Sequence, residues 1–120
     1  MSEATTQIPV VWKTTQEVVS RLLGKRGRPI LERTLALAQD LAADRQWPLK
    51  SIRVEFYQDP EIVWEYLLLI LVFDCDPLKA EKLWDEFLDA TEIVERELDE
   101  QEIHLFIKTI SYEFESSPQL

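Results

Sequence analysis

The chain has 120 residues, of which 46% are hydrophobic and 10% aromatic. This is enough apolar material for one packed domain and excludes an intrinsically disordered protein. Its 23 acidic residues outnumber the 13 Lys and Arg, and the formal net charge of −10 argues against a protein that binds nucleic acid over most of its surface. We expect a single α+β domain at residues 8–115, with flexible ends at residues 1–7 and 116–120.

The charges are divided unevenly between the two halves of the chain. Residues 1–58 contain nine Lys and Arg and six Asp and Glu, whereas residues 59–120 contain four and seventeen. The net charges are therefore +3 and −13, and we expect the second half to attract basic partners. The chain starts without the pattern of a secretory signal, and its single cysteine, Cys75, predicts a reducing compartment, so we expect a cytoplasmic protein without a membrane segment.

The first half predicts a short strand and two helices. Residues 8–12 are apolar but contain Pro9, so any strand is short. Thr14 and Glu17 match a capping box, which predicts a helix over residues 15–23 that stops at Gly24. Residues 25–28 form a basic turn, and Pro29 begins a second helix that runs to Gln46.

The second half predicts a hairpin, a helix and a last strand. Residues 51–58 alternate between apolar and polar, and residues 62–73 are apolar except for Glu65, which predicts a central strand buried on both faces. Asp76 and Pro77 begin a helix that runs to Leu98. Residues 102–115 predict a strand with an irregularity near residues 108–109, where the apolar residues change sides.

This order of elements predicts a ferredoxin-like βαββαβ sandwich, in which a mostly antiparallel sheet has helices on one face and the first and third strands are central. If residues 8–12 are not a strand, the alternative is a three-stranded sheet with an N-terminal helix pair. Helices on one face leave the other face of the buried strand without cover. We therefore expect a homodimer that forms through this sheet face.

Candidate catalytic groups are sparse. The single histidine, His104, has no visible partner motif, and a Cys75–His104 pair would require adjacent strands. Asp74 and Asp76 could hold a cation but lack the ligand spacing of a calcium loop. With two glycines in the chain, no glycine-rich phosphate loop can be built. We expect no catalytic residues, no metal and no cofactor, and an enzyme that uses these carboxylates with a metal is the weakest alternative.

One short segment matches a named motif. Residues 25–29, Lys-Arg-Gly-Arg-Pro, resemble the core of an AT-hook, which lies extended in the minor groove of A·T-rich DNA. The resemblance implies that Lys25, Arg26 and Arg28 bind DNA or another anion. A DNA-associated regulator that uses this basic turn is therefore one alternative function.

The leading hypothesis concerns the predicted helix at residues 77–98. Its solvent side carries six acidic residues, called here the acidic helix face: Asp85, Glu86, Asp89, Glu92, Glu95 and Glu97. Such a face is complementary to a basic protein surface. We therefore expect a protein that is not an enzyme but an interaction module, which binds a basic protein as an inhibitor or antitoxin does.

Overall fold

The computed structural model describes residues 8–61 and 64–118. The predicted flexible segment at residues 1–7, the first two residues of the predicted strand at 62–73, and residues 119–120 lie outside the described residues. The elements in chain order are β1 (Val10–Lys13), α1 (Gln16–Asp44), β2 (Leu49–Asp59), β3 (Trp64–Phe73), α2 (Pro77–Arg96), α3 (Glu100–Thr109) and β4 (Ile110–Ser116).

The four strands form one mixed sheet in the order β1-β2-β3-β4. β1 and β2 are parallel, β2 and β3 form an antiparallel hairpin, and β3 and β4 are parallel. The α+β class is confirmed, but the sheet differs from the predicted ferredoxin-like order. Each helical connection returns the chain to the strand next to the one that it left, so β1 lies at an edge and β2 and β3 are central. The three-stranded alternative is also wrong, because β1 pairs with β2.

Gly24 divides α1 into two segments. Its φ of 66° and ψ of −167° are not helical, whereas the basic residues after it continue the helix. The predicted stop at Gly24 is therefore present as a kink, and the predicted turn at residues 25–28 is wrong. The cap is one residue later than predicted, because the side chain of Thr15, not Thr14, accepts a hydrogen bond from the Val18 N–H.

All three helices pack on the same face of the sheet. Ile52 and Val54 of β2 and the odd-numbered residues of β3 from Leu67 to Phe73 are buried beneath them. The spacing of apolar residues at 77–98 predicts a core stripe of seven residues. Five of them are buried, namely Ala80, Leu83, Phe87, Thr91 and Val94, whereas Trp84 and Leu98 are half-buried. The side chain of Asp76 accepts from the Lys79 N–H at 3.0 Å, which confirms the predicted start of this helix.

The last predicted strand is wrong over its first half, where residues 100–109 form α3. Asp99 and Glu102 make a complete capping box: the Glu102 N–H donates to the Asp99 carboxylate at 2.9 Å, and the Asp99 N–H donates to Glu102 at 3.0 Å. The predicted irregularity near residues 108–109 is the point where the helix gives way to β4. The apolar residues change sides there because the backbone changes from helix to strand.

We predict that Gly24→Ala destabilises the protein by about 1–3 kcal/mol, because the backbone conformation of Gly24 is one that side-chain-bearing residues rarely adopt. An added Cβ would meet nothing within 4 Å, so the cost comes from the backbone alone. Urea unfolding measures this change. Lys25→Ala, at an exposed helical position, is the control, and equal stability of Gly24→Ala and the unmodified protein would contradict the prediction.

Candidate functional site

Ion pairs connect the two oppositely charged halves of the chain. Five arginines of residues 1–58 each pair with a carboxylate of residues 59–120. Three of these pairs have N···O distances of 2.9, 2.5 and 2.8 Å, namely Arg21–Glu65, Arg26–Asp99 and Arg45–Glu86. The other two are Arg33–Glu97 and Arg53–Glu115. Much of the positive charge of the first half is therefore neutralised within the molecule.

These pairs also change the ionisation of the carboxylates. The hydrogen bond from Arg21 lowers the pKa of Glu65. The pKa of Asp99 is lowered chiefly by the hydrogen bond from the Glu102 N–H, and Arg26 contributes further. Both groups favour the charged form, as expected for carboxylates beside donors and cations.

The acidic helix face is not a single uniform surface. Glu86 and Glu97 are on the side of α2 that faces α1, where they pair with Arg45 and Arg33. Glu92 pairs with Arg96 of its own helix at 3.5 Å, and Glu95 is half-buried. Asp85 and Asp89 are exposed one helical turn apart. They are the exposed members of the predicted face that form no ion pair within residues 8–61 and 64–118.

An apolar side chain that sequence reasoning missed lies beside this face. Ile93 is 59% exposed at a shallow groove between α1 and α2. The groove is lined by Arg33, Ala36, Leu37, Asp40, Ile93, Val94 and Glu97. The signal was available, because Ile93 does not fit the core stripe of α2.

The basic segment at residues 25–29 is helical and not extended, unlike the AT-hook core that it resembles. Gly27 is buried, and a Cβ there would lie 2.8 Å from the Leu23 Cβ. Arg26 donates to Gln101 at 2.7 Å and pairs with Asp99, while Arg28 donates to Gln16 and Ser20. Both arginines are thus held by neighbouring side chains, and Lys25 is exposed. DNA binding by this segment stays a prediction.

The structure does not bring the candidate catalytic residues together. Cys75 follows the end of β3 that pairs with Ser116, whereas His104 is exposed on α3, which leads into the opposite end of β4. Burial, with a further effect of Asp76, raises the pKa of the Cys75 thiol. No group of three potential metal-ligating side chains occurs among residues 8–61 and 64–118.

The face of the sheet away from the helices, called here the open sheet face, carries an apolar row on β3. Leu68, Ile70 and Val72 are only 8, 5 and 6% exposed, although their cluster contains no helix residue. Arg53 of β2 reaches across this row to Glu115 of β4 and also binds Glu55 at 2.8 Å. The long side chain of Arg53 shields the row within one chain. The predicted homodimer stays a prediction, and the exposed apolar strip that motivated it is absent from the described residues.

An aromatic cluster lies at the hairpin end of the open sheet face. The Tyr57 and Tyr66 rings stack at a centroid distance of 5.8 Å, and Trp64 lies 4.7 Å from Tyr66. The Trp64 indole N–H donates to the Lys108 carbonyl at 2.7 Å, which ties the hairpin to the end of α3. The cluster therefore braces the hairpin, while Tyr57 remains 44% exposed.

Comparisons with protein-family models, curated proteins and solved structures gave no match for this chain. A search of the described helices for one with the length and hydrophobicity to span a bilayer found none. Inferences about function therefore depend on the surface chemistry set out above.

We predict that Arg53→Ala lowers the free energy of unfolding by about 1–2 kcal/mol, because Ile70 and Val72 lose their cover and Glu115 loses its partner. The same variant should self-associate, which light scattering would detect. Arg53→Met retains a long apolar side chain, so its free energy of unfolding should lie between those of Arg53→Ala and the unmodified protein. Lys50→Ala, on the same strand, is the neutral control. Unchanged stability and mass for Arg53→Ala would contradict the shielding role.

Proposed function

We propose that this protein is a non-catalytic interaction module that binds a basic protein, in the manner of an inhibitor or antitoxin. The supporting observation is the internal use of positive charge: five arginines of the first half are paired with carboxylates of the second. Each pair removes one positive and one negative charge, so the side chains outside these pairs still carry the formal net charge of −10. A cationic surface is its natural complement.

The exposed pair Asp85 and Asp89 is the part of the acidic helix face best placed to meet such a partner. Both carboxylates point into solvent, and the exposed side chain of Ile93 lies close by on the same helix. Exposed charges accelerate encounter more than they add to final affinity, and their effect is screened beyond a Debye length of about 8 Å at physiological salt. The proposed complex should therefore form quickly and weaken as salt is added.

The state of the candidate catalytic groups also supports an interaction module. The raised pKa of Cys75 disfavours the reactive thiolate, and the Asp76 carboxylate already caps α2. The DNA-associated alternative has no comparable support, since Arg26 and Arg28 are already held by neighbouring side chains. The environments of Cys75 and Asp76 do not favour an enzyme, and those of Arg26 and Arg28 do not favour a DNA-associated regulator.

Capture from native cells tests the proposal, with the tagged protein expected to retain a basic protein at low salt and release it at high salt. We predict that the double variant Asp85→Asn and Asp89→Asn then binds this partner about tenfold more weakly and with a shallower salt dependence. The control is Glu17→Gln with Asp44→Asn, which removes the same charge from exposed positions of α1.

Two results would contradict this proposal. One is the recovery of partners without an excess of Lys and Arg. The other is equal loss of affinity in the α1 control, which would show that net charge matters and the α2 position does not.

A further inference from the structure

The outer edge of β4 is open for pairing. β4 is the last strand in the sheet, and among the described residues it pairs with β3 alone. The Ser117 N–H donates to the Phe73 carbonyl at 2.8 Å, which shows that odd-numbered residues direct their backbone groups toward β3. Because these directions alternate along a strand, the N–H and C=O groups of Tyr112 and Phe114 point outward.

A shelf of half-buried apolar side chains lies beside this edge, on the face covered by helices. It consists of Trp84 and Leu88 of α2 with Tyr112 and Phe114 of β4. The Trp84 ring lies 5.5 Å from Phe114 and 6.4 Å from Tyr112, and all four side chains remain partly accessible. The phenol of Tyr112 is largely buried, and this burial raises its pKa. Because the four side chains of the shelf are mostly apolar and partly accessible, the shelf could receive apolar side chains from a strand placed next to β4.

The surroundings of the same edge are acidic. Glu113 is exposed on the open sheet face of β4, whereas Glu115, two residues further along, already pairs with Arg53. On the helix side, α2 carries Glu81 and Glu95. Antiparallel pairing of two β4 strands centred on this segment would place like charges opposite each other, which disfavours edge-to-edge pairing with a second copy.

From this combination we propose that β4 binds an extended, basic segment of the partner protein as a fifth strand of the sheet. Alternate residues of the segment would be Lys or Arg, one of them facing the exposed carboxylate of Glu113, and the residues between them would be apolar and lie on the shelf. Backbone hydrogen bonds supply affinity in this mode of binding, and the side chains supply specificity. The inference rests on the proposed function and names the partner segment and its docking site.

The opposite edge of the sheet is less suited to such a partner. β1 has four residues and follows Pro9, which cannot donate a backbone hydrogen bond. β4 has seven residues and no proline. The length of β4 and the exposed carboxylate of Glu113 therefore favour this edge.

Calorimetric titration with synthetic peptides tests the inference on the full chain. The probe is an acetylated ten-residue peptide in which lysine and valine alternate, and we expect it to bind. Two matched peptides, one N-methylated at the valines and the other at the lysines, keep the charge and each lose one half of the backbone donors. The peptide that loses the donors facing β4 should bind about tenfold more weakly or not at all. A peptide with glutamate in place of lysine should not bind.

Variants of the protein locate the site. Glu113→Lys changes an exposed side chain, so the protein should fold, and it should bind the lysine–valine peptide about tenfold more weakly. Phe114→Pro removes an outward N–H, whereas Phe114→Val keeps it, and the proline variant should bind less well than the valine variant. Thermal unfolding of each variant shows whether the fold is retained.

The outcomes separate this inference from the proposed function. Equal binding of the unmethylated peptide and both methylated peptides, or unchanged binding by Glu113→Lys, would overturn strand addition at β4. In that case salt-dependent capture of a basic partner would still support the proposed function through another surface. Concentration-dependent self-association that Phe114→Pro abolishes would also overturn the inference, because it would assign the edge to a second copy.

Discussion

The architecture depends on the burial of β3 from solvent on both of its faces. Residues 67–73 are all buried, yet the helices cover one face alone. Beneath the helices, the odd-numbered residues of β3 pack into the main core. On the other face, Arg53 lies over Ile70 and Val72 and binds Glu55 and Glu115 at its far end. In the part of the chain that the structure describes, cover on this face thus comes from side chains of the sheet itself, among them Arg53 and Tyr66, and not from a second layer.

Charged side chains are also paired within the chain. The basic first half and the acidic second half are neighbours in space, because α1 packs beside α2 and α3 and because β2 lies next to β3. Each of the five ion pairs joins residues between 41 and 73 positions apart along the chain. Exposed pairs of this kind contribute little to stability individually. Their larger effect is on the surface charge, because they hold five arginines against carboxylates while the side chains outside the pairs keep the formal net charge of −10.

Local patterns predicted much of the fold. The alternation in β2, the apolar run of β3, the Asp76 cap and the glycine break at Gly24 each depend on neighbouring residues, and each was readable in the sequence. The order of the strands was not, because it depends on contacts between distant segments. Residues 102–109 were assigned to a strand because Ile103, Leu105 and Ile107 alternate. The capping box of Asp99 and Glu102 was the stronger signal, and it predicts the helix that the structure contains.

The candidate site was predictable in composition but not in arrangement. The acidic residues of α2 could be recognised from spacing alone, but their partners could not, since Arg33 and Arg45 reach them only when α1 packs alongside. The sequence does not predict the open edge of β4, because it predicts one long strand over residues 102–115. The shelf formed by Trp84 and Phe114 could not be predicted either, because it requires the packing of α2 beside that edge. The sequence thus suffices to propose a basic partner, whereas the proposal of a docking site at β4 requires the structure.

Amide hydrogen exchange along β4 in the free protein tests the central claim most directly, namely that the outer edge of β4 is unoccupied. The outward amides of Tyr112 and Phe114 should exchange rapidly, while the inward amides of Glu113 and Glu115 should be protected by their bonds to β3. Uniform protection of all four amides would show that another strand already covers the edge, and it would contradict the account.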